Sequence, residues 1–204
     1  SHCFSPGVDK IASFENELSR SHGIKCFMAD ASVQAPPIEN SDFSFIPKFL
    51  GNRTTGHFIT LDDWMTGQLN GEETGLLLQM DIEGGEYDVL TFEPSNVLSQ
   101  FSVMVIEFHW WQSIFQRPFQ KMLSGIFEKI YNDFAICHVH PNNCCGISIY
   151  DGIEVPRTLE ITFIRRDLIN NFAIKSRISM PHILDRKNVV NNSDITMPSS
   201  WWEK

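Results

Sequence analysis

Carboxylate and imidazole side chains stand where three apolar runs of the sequence end. Asp81 follows one run, His109 follows a second, and His140 closes a third. Imidazole exchanges protons near neutral pH, and carboxylates together with imidazole bind divalent cations. The set therefore suits either proton transfer or a metal ion, and because its members are far apart in the chain the sequence leaves both open.

The segment that begins at Asp81 is strongly acidic. Residues 81–88 (DIEGGEYD) hold four carboxylates in eight positions. A solvated turn is the usual explanation of such a cluster. Here it follows a run that is expected to form a central strand, and its two glycines permit a tight backbone, so we interpret it as a functional loop.

Two earlier runs end in residues suited to nucleotide binding. Gly7 lies in the turn after the first run, and a glycine there lets the backbone approach a ligand closely. Asp30 follows the second run, where a carboxylate can accept hydrogen bonds from both hydroxyls of a ribose. An ordinary tight turn and a helix-capping aspartate explain these two residues equally well.

The elements that must position these residues alternate between strand and helix. Strands are predicted over 2–5, 24–29, 45–50, 76–82, 101–108, 134–140 and 158–165, and helices over 10–22, 60–69 and 113–131. Residues 141–157 read as an irregular connection. The alternation predicts an open α/β sheet, mostly parallel, with helices on both faces and the last strand antiparallel. Ligands of such sheets bind beyond the carboxyl ends of the strands, where the residues named above stand.

Length and composition restrict the class of protein. The chain has 204 residues, 42% of them apolar, and a formal net charge of −9. That charge argues against coating a nucleic acid and against docking on an anionic membrane. Its apolar runs are far shorter than the ~20 residues that span a bilayer. The five cysteines form no C-x-x-C pair, which favours a reducing, cytoplasmic location.

The chain begins with Ser1 rather than Met, and its first apolar run starts at His2. We expect a catalytic core over 1–166 and a C-terminal extension over 167–204 that packs on it. We also expect that both belong to a longer polypeptide with further domains upstream.

Several motifs together resemble one enzyme family. Residues 78–90 (LQMDIEGGEYDVL) carry the strongest likeness, and residues 106–109 (IEFH), 138–143 (HVHPNN) and 159–166 (LEITFIRR) support it. In this combination the chain resembles the FkbM family of S-adenosylmethionine-dependent methyltransferases, which have the Rossmann-like class I methyltransferase fold. The resemblance implies S-adenosylmethionine as the cofactor.

The resemblance also implies roles for individual residues. Ser5 and Gly7 would contact the methionine end of the cofactor, and Asp30 its ribose hydroxyls. The residues implied at the adenine are Ala31, Gly51 and Asn52. Asp81 would face the cofactor's amino group or a metal ion.

Members of the family mostly methylate oxygen, often on sugars, so the resemblance implies an O-methyltransferase that acts on a sugar or glycan hydroxyl. The partner is then a small-molecule or glycan acceptor, with no nucleic acid and no membrane. Such a hydroxyl needs a base or a metal to ease proton loss. We predict His109 as the base, His140 as the second choice, and Asp81 as the group that orients the histidine or holds a divalent ion. Trp110 and Trp111 would either stack on the acceptor or pack against the sheet.

Two other functions stay open at this point. A non-catalytic module that binds a nucleotide or glycan is favoured by the first turn, which has only Gly7 where the family is usually richer in glycine. A glycoside hydrolase is suggested by Asp81, Glu83 and Glu86. Glycoside hydrolysis needs two carboxyl groups that flank one bond. The three carboxylates here cluster on a single turn, so the glycoside hydrolase is the weaker of the two alternatives.

Overall fold

The computed structural model describes residues 1–71, 73–169 and 181–197. Its strands, in chain order, are β1 (His2–Pro6), β2 (Lys25–Ala29), β3 (Phe43–Ile46), β4 (Phe49–Leu50), β5 (Phe58–Ile59), β6 (Leu76–Met80), β7 (Phe101–Phe108), β8 (Phe134–Pro141), β9 (Ile147–Tyr150), β10 (Ile153–Pro156) and β11 (Leu159–Arg165). The helices are α1 (Ser13–His22), α2 (Leu61–Gln68), α3 (Glu86–Phe92), α4 (Ser95–Leu98) and α5 (Arg117–Asp133).

The central sheet has seven strands in the order β3-β2-β1-β6-β7-β11-β8. Neighbours from β3 through β7 are parallel, whereas β11 is antiparallel to both β7 and β8. The prediction of a mostly parallel sheet whose last strand is antiparallel is confirmed. The strand order reverses between β1 and β6, which is where such sheets bind their ligands.

Both faces of this sheet are covered, and β2 shows it within two residues. Phe27 packs against the larger apolar cluster of the molecule, whereas Met28 belongs to a smaller cluster with Val8 and Ala12. Successive strand residues point to opposite faces, so each face has a core of its own. Burying one such side chain stabilises the fold by roughly 1.5–3 kcal/mol.

Helix boundaries follow local chemistry. Thr60 caps α2, because its hydroxyl accepts a hydrogen bond from the backbone N–H of Asp63 at 3.1 Å. Gly23 ends α1 in the left-handed conformation at φ 64°. The predicted helix over 10–22 begins three residues later than expected, at Ser13.

The predicted third strand over 45–50 is divided in two. Phe45 and Ile46 pair with β2, whereas Phe49 and Leu50 pair with β5 in a separate small sheet. Pro47 lies at the break, since a residue without a backbone N–H cannot continue the ladder.

The connection predicted as irregular contains a β-hairpin. Strands β9 and β10 pair in antiparallel fashion around Asp151 and Gly152, whose φ angles are 49° and 78°. An Asp-Gly pair between alternating apolar residues is a strong signal for this kind of turn, and the sequence carries it.

Residues 181–197 form hydrogen bonds with the sheet end. Asp185 faces His138 at 2.8 Å, and the side chain of Asn143 exchanges hydrogen bonds with the backbone of Val189. Residues 170–180 and 198–204 of the predicted extension lie outside the described residues, and the division at residue 166 stays a prediction. Within the described ranges, no helix has the length and hydropathy that crossing a bilayer requires.

Candidate active site

A cavity of about 590 Å³ opens at the carboxyl ends of β1, β2 and β6. It lies at the point where the strand order reverses. Its walls include Gly7, Val8, Asp9, Asp30, Ser32, Phe49, Leu50, Phe58, Gln79, Asp81, Ile82 and Glu83. Its volume is within the range of cavities that hold small-molecule ligands.

Gly7 allows the ends of β1 and β6 to meet at the floor of this cavity. Its φ is +88°, and a Cβ atom at this position would lie 1.5 Å from the carbonyl oxygen of Asp81. Its N–H donates to Ala29 O at 3.0 Å, which ties the turn to β2 as well. Any other residue would push Asp81 away from its position.

Asp30 lines the same cavity at the end of β2, and its side chain is largely buried. One carboxylate oxygen accepts the N–H of Asp9 at 2.9 Å, and the other accepts the N–H of Ser32 at 2.7 Å. Each oxygen keeps a second lone pair, because a carboxylate oxygen can accept two hydrogen bonds. Asp30 therefore holds the cavity loop in place and still has acceptors for a ligand.

Four residues predicted at the cofactor do not line the cavity, namely Ser5, Ala31, Gly51 and Asn52. Ser5 is fully buried behind the wall, where its hydroxyl contacts Glu15 and Gln79. The amide of Asn52 instead donates to Asp88 at 2.9 Å. A position at a strand end predicts the edge of the sheet at which a residue lies, but not the direction of its side chain.

Two phenylalanines that the sequence reasoning missed form an apolar wall. Phe49 and Phe58 are each 43% exposed, and their ring centroids lie 5.8 Å apart. Gly51 makes room for this wall, because a Cβ there would lie 2.8 Å from the Phe58 ring. The sequence indicates this wall only through the aromatic residues on either side of Gly51.

Beside the cavity, Asp81 meets Glu107 and His109. One potential ligand atom from each lies within 4.8 Å of the other two. Met80 pairs with Ile106, so the next residues of the two parallel strands, Asp81 and Glu107, come side by side. Strand alternation directs Glu107 and His109 to the same face. The sequence therefore carried a signal for Glu107 as a site residue, although it was not among the predicted ones.

Glu86 organises this cluster although it is itself fully buried. One of its oxygens accepts the N–H groups of Ile82 and Gly84, at 3.1 and 3.2 Å, and faces His109 Nδ1 at 3.0 Å. The ring is thereby oriented so that its Nε2 lies 3.8 Å from Asp81 and 3.4 Å from Glu83. The acidic loop is thus wrapped around one internal carboxylate.

The cluster shifts the pKa of its own members. Burial alone would lower the pKa of His109, but the carboxylates of Glu86, Glu107 and Asp81 outweigh it and raise this pKa to about 9. Burial and the neighbouring Asp81 raise the pKa of Glu107 to about 8. Burial also raises the pKa of Asp81. Burial and mutual repulsion of the carboxylates therefore both disfavour full ionisation of this cluster.

His140 lies on β8, which is separated from β7 by β11 in the sheet. Glu160 on β11 pairs with Glu107 on one side and with His140 on the other. His140 Nδ1 is 3.7 Å from Glu160, and this contact raises the pKa of His140. The three strand ends follow one another in the chain, but β11 lies between β7 and β8 in the sheet, so His140 stands apart from Asp81 and His109.

A second cavity of about 530 Å³ adjoins the first and shares Ser13 and Phe14 with it. Its walls are mostly polar and come from the sheet end and from residues 181–197. They include His138, His140, Glu160, Asp185, Arg186, Lys187 and Asn188.

The two tryptophans after His109 behave differently. Trp110 is 58% exposed, has a φ of 53°, and lies over Gly84, where an added Cβ would be 2.8 Å from its ring. Trp111 is buried and packs edge-on against Phe108. Only Trp110 is therefore available to contact a ligand.

Comparison with known sequences identifies the family. The profile described as the methyltransferase FkbM domain matches residues 30–132, which is half of the chain and includes Asp30, Asp81 and His109. The chain belongs to the FkbM methyltransferase family. This confirms the resemblance seen in the sequence. A search among curated proteins gave no match.

One solved structure supports the fold of this FkbM domain. A putative DNA modification methyltransferase from an Escherichia coli prophage superposes with a TM-score of 0.52 at 10% identity, covering 84% of this chain and 49% of that one. The chain thus spans about half the length of that enzyme. Fibrillarin in its complex with Nop5p has a TM-score of 0.47 at 8% identity, with 80% and 72% covered.

Proposed function

We propose that this FkbM domain transfers a methyl group from S-adenosylmethionine to a hydroxyl oxygen, most simply that of a sugar or glycan. One observation carries the proposal. Asp81 belongs both to the wall of the 590 Å³ cavity and to the cluster with Glu107 and His109. A cofactor in the cavity therefore has its reactive end beside groups that can act on an acceptor hydroxyl.

The cavity fits the cofactor in three respects. The free lone pairs of Asp30 suit ribose hydroxyls. Phe49 and Phe58 offer apolar ring surface to adenine. The turn at Gly7 brings backbone close to the remaining end of the ligand. When bound, S-adenosylmethionine supplies an electrophilic methyl group, so the protein's task is to align the acceptor and exclude water.

The acceptor hydroxyl is a weak nucleophile and must lose its proton. His109 Nε2 is directed toward Asp81, at the edge of the cavity. The role of His109 as the base stays a prediction, with one condition set by its surroundings. The neighbouring carboxylates favour the protonated ring, so the ring acts as a base only once it has given up that proton.

The second cavity suits a polyhydroxylated acceptor. Glu160, Asp185 and Asn188 provide hydrogen-bonding groups there, and the shared border at Ser13 and Phe14 links it to the cofactor cavity. The net charge of −9 supports a neutral acceptor over a polyanion such as a nucleic acid. All five cysteines are free thiols, which supports the proposed cytoplasmic location.

Calorimetry with S-adenosylhomocysteine and a turnover assay on a panel of sugars test the proposal. We expect the wild-type domain to bind S-adenosylhomocysteine and to methylate at least one hydroxylated acceptor. Asp30→Ala should weaken cofactor binding about tenfold or more, since it removes charged hydrogen-bond acceptors. His109→Ala should abolish turnover and leave cofactor binding within a few-fold.

Each outcome separates the competing functions. A wild-type domain that is folded but does not bind S-adenosylhomocysteine contradicts the proposal. It would favour the other two functions, a binding module or a glycoside hydrolase. Binding without turnover on any acceptor favours a non-catalytic module. Turnover that persists in His109→Ala removes His109 from the mechanism.

A further inference from the structure

We infer that Asp81, Glu107 and His109 bind one divalent cation of the Mg²⁺ and Mn²⁺ class beside the cofactor cavity. We further infer that this cation holds the acceptor hydroxyl, a role that rests on the proposed function.

The three ligand atoms have the separation that one ion requires. Two carboxylate oxygens and one imidazole nitrogen can be chosen within 4.8 Å of one another. Ligands at about 2.0–2.3 Å from a common ion lie at most roughly 4.6 Å apart. The three atoms are therefore near the separation that one ion allows.

Groups behind the ligands are arranged as an outer shell. His109 Nδ1 faces Glu86 at 3.0 Å, which leaves Nε2 as the ligand atom. The amide of Asn142 donates to Glu107 at 2.6 Å and orients that carboxylate. Histidine ligands of metals usually donate their second ring N–H to a carboxylate, and ligating carboxylates are themselves hydrogen-bonded.

The site has buried acceptors that lack donors. Asp81 Oδ1 and Glu86 Oε2 are both buried, and neither has a hydrogen-bond partner within the part of the chain that the structure describes. Glu86 is fully buried, so its unpaired oxygen is unfavourable unless positive charge lies nearby. Four carboxylates around one imidazole leave an excess of negative charge, which a divalent cation offsets.

The donor set indicates the kind of ion. Two carboxylates and one imidazole favour ions that prefer oxygen ligands and accept a nitrogen, which describes Mn²⁺ and, more weakly, Mg²⁺. Three protein ligands leave positions open for water and for an acceptor oxygen. The exposed Glu83 lies 3.4 Å from the same Nε2, on the solvent side of the site.

The ion would ease the reaction by favouring loss of the hydroxyl proton. The O–H bond of the acceptor breaks and its proton passes to solvent water. The oxygen then forms a bond to the methyl carbon while the carbon–sulfur bond breaks, and its electron pair stays on sulfur. Charge and atoms balance with no oxidant or reductant. In this arrangement His109 acts as a ligand instead of a base.

Mn²⁺ binding to the purified full chain tests the inference. The protein is stripped with EDTA and titrated with Mn²⁺, with free Mn²⁺ read by electron paramagnetic resonance. We expect one site, with at least tenfold weaker binding in Glu107→Gln and Asp81→Asn. Asn142→Ala should weaken it about 10- to 100-fold, the range typical of outer-shell partners. Asp88→Asn removes an exposed charge from the first turn of α3 and should change affinity less than threefold.

S-adenosylhomocysteine binding in EDTA is measured in parallel and keeps the two proposals apart. A domain that binds S-adenosylhomocysteine but no Mn²⁺ up to millimolar concentration overturns the metal site alone. Mn²⁺ binding that is equal in wild type and Glu107→Gln overturns the assigned ligands. A domain that binds Mn²⁺ but not S-adenosylhomocysteine supports the site and removes its proposed role in methyl transfer. Thermal unfolding confirms that each variant is folded.

Discussion

At the scale of single residues, the site depends on close backbone approach as much as on charged groups. Gly7 is the clearest example, because the floor of the cavity has no space for a side chain there. Glu86 is the charged counterpart, since one buried oxygen fixes both the acidic loop and the ring of His109. Both residues act by positioning Asp81 and its neighbours.

Gly7→Ala should therefore abolish S-adenosylhomocysteine binding and lower the free energy of unfolding. The added Cβ would lie 1.5 Å from Asp81 O, and φ +88° is unfavourable for alanine. Urea unfolding and calorimetry measure both effects. Gly125→Ala is the matched control, because nothing lies within 4 Å of a Cβ at that position of α5. It should stabilise the protein by roughly 0.5–1 kcal/mol, and equal behaviour of the two variants would contradict this account.

At the scale of elements, helix ends and strand edges are held by particular side chains. Glu93 accepts the N–H of Leu61 at 2.7 Å and so caps the start of α2 from the end of α3. Lys129 of α5 donates to the carbonyl oxygens of Leu90, Thr91 and Glu93, at 2.8, 2.8 and 2.9 Å. These are carbonyl groups that the end of α3 leaves without helical partners.

Lys129→Met should lower the free energy of unfolding by about 1–3 kcal/mol, because it keeps the aliphatic stem and removes the donor from these carbonyls. Urea denaturation followed by circular dichroism measures the change. Lys121→Met, an exposed lysine on the same helix, should change stability by less than about 0.5 kcal/mol. If the two variants lose the same stability, Lys129 does not hold the end of α3.

At the scale of the whole molecule, the sheet end and residues 181–197 are joined through charged groups. His140 on β8 faces Glu160 on β11, with Asp185 and Asp194 from residues 181–197 nearby and the His138 ring 6.5 Å away. The contact with Glu160 raises the pKa of His140 above its ordinary 6.5. The folded state therefore binds this proton more tightly than the unfolded chain.

The sign of the resulting pH dependence follows by linkage. A raised pKa in the folded state contributes stability that is fully present below pH 6.5 and is lost as the pH rises through the folded value. The stability advantage of wild type over His140→Gln should thus shrink between pH 6 and pH 9 in urea unfolding. His22→Gln, at an exposed position at the end of α1, is the control. Its stability difference from wild type should not shrink in this way between pH 6 and pH 9. A stability difference between wild type and His140→Gln that grows with pH would contradict this prediction.

Much of the fold could be predicted from the sequence because the signals are local. The apolar runs at β6 and β7, the Thr60 cap and the Gly23 stop each depend on neighbouring residues, and the structure has them as expected. The break at Pro47 and the hairpin at Asp151 have local signals too, a residue without a backbone N–H and an Asp-Gly pair. The family was identified from motifs of the same local kind.

The sequence by itself determined the alternating elements, the mostly parallel sheet and the placement of Gly7, Asp30, Asp81 and His109 at strand ends. Only the tertiary structure decided which strand ends are neighbours. Insertion of β11 between β7 and β8 sends His140 toward Glu160, and parallel register brings Glu107 to Asp81 instead. Strand order and register depend on contacts between residues far apart in the chain, and a local pattern carries no information about them.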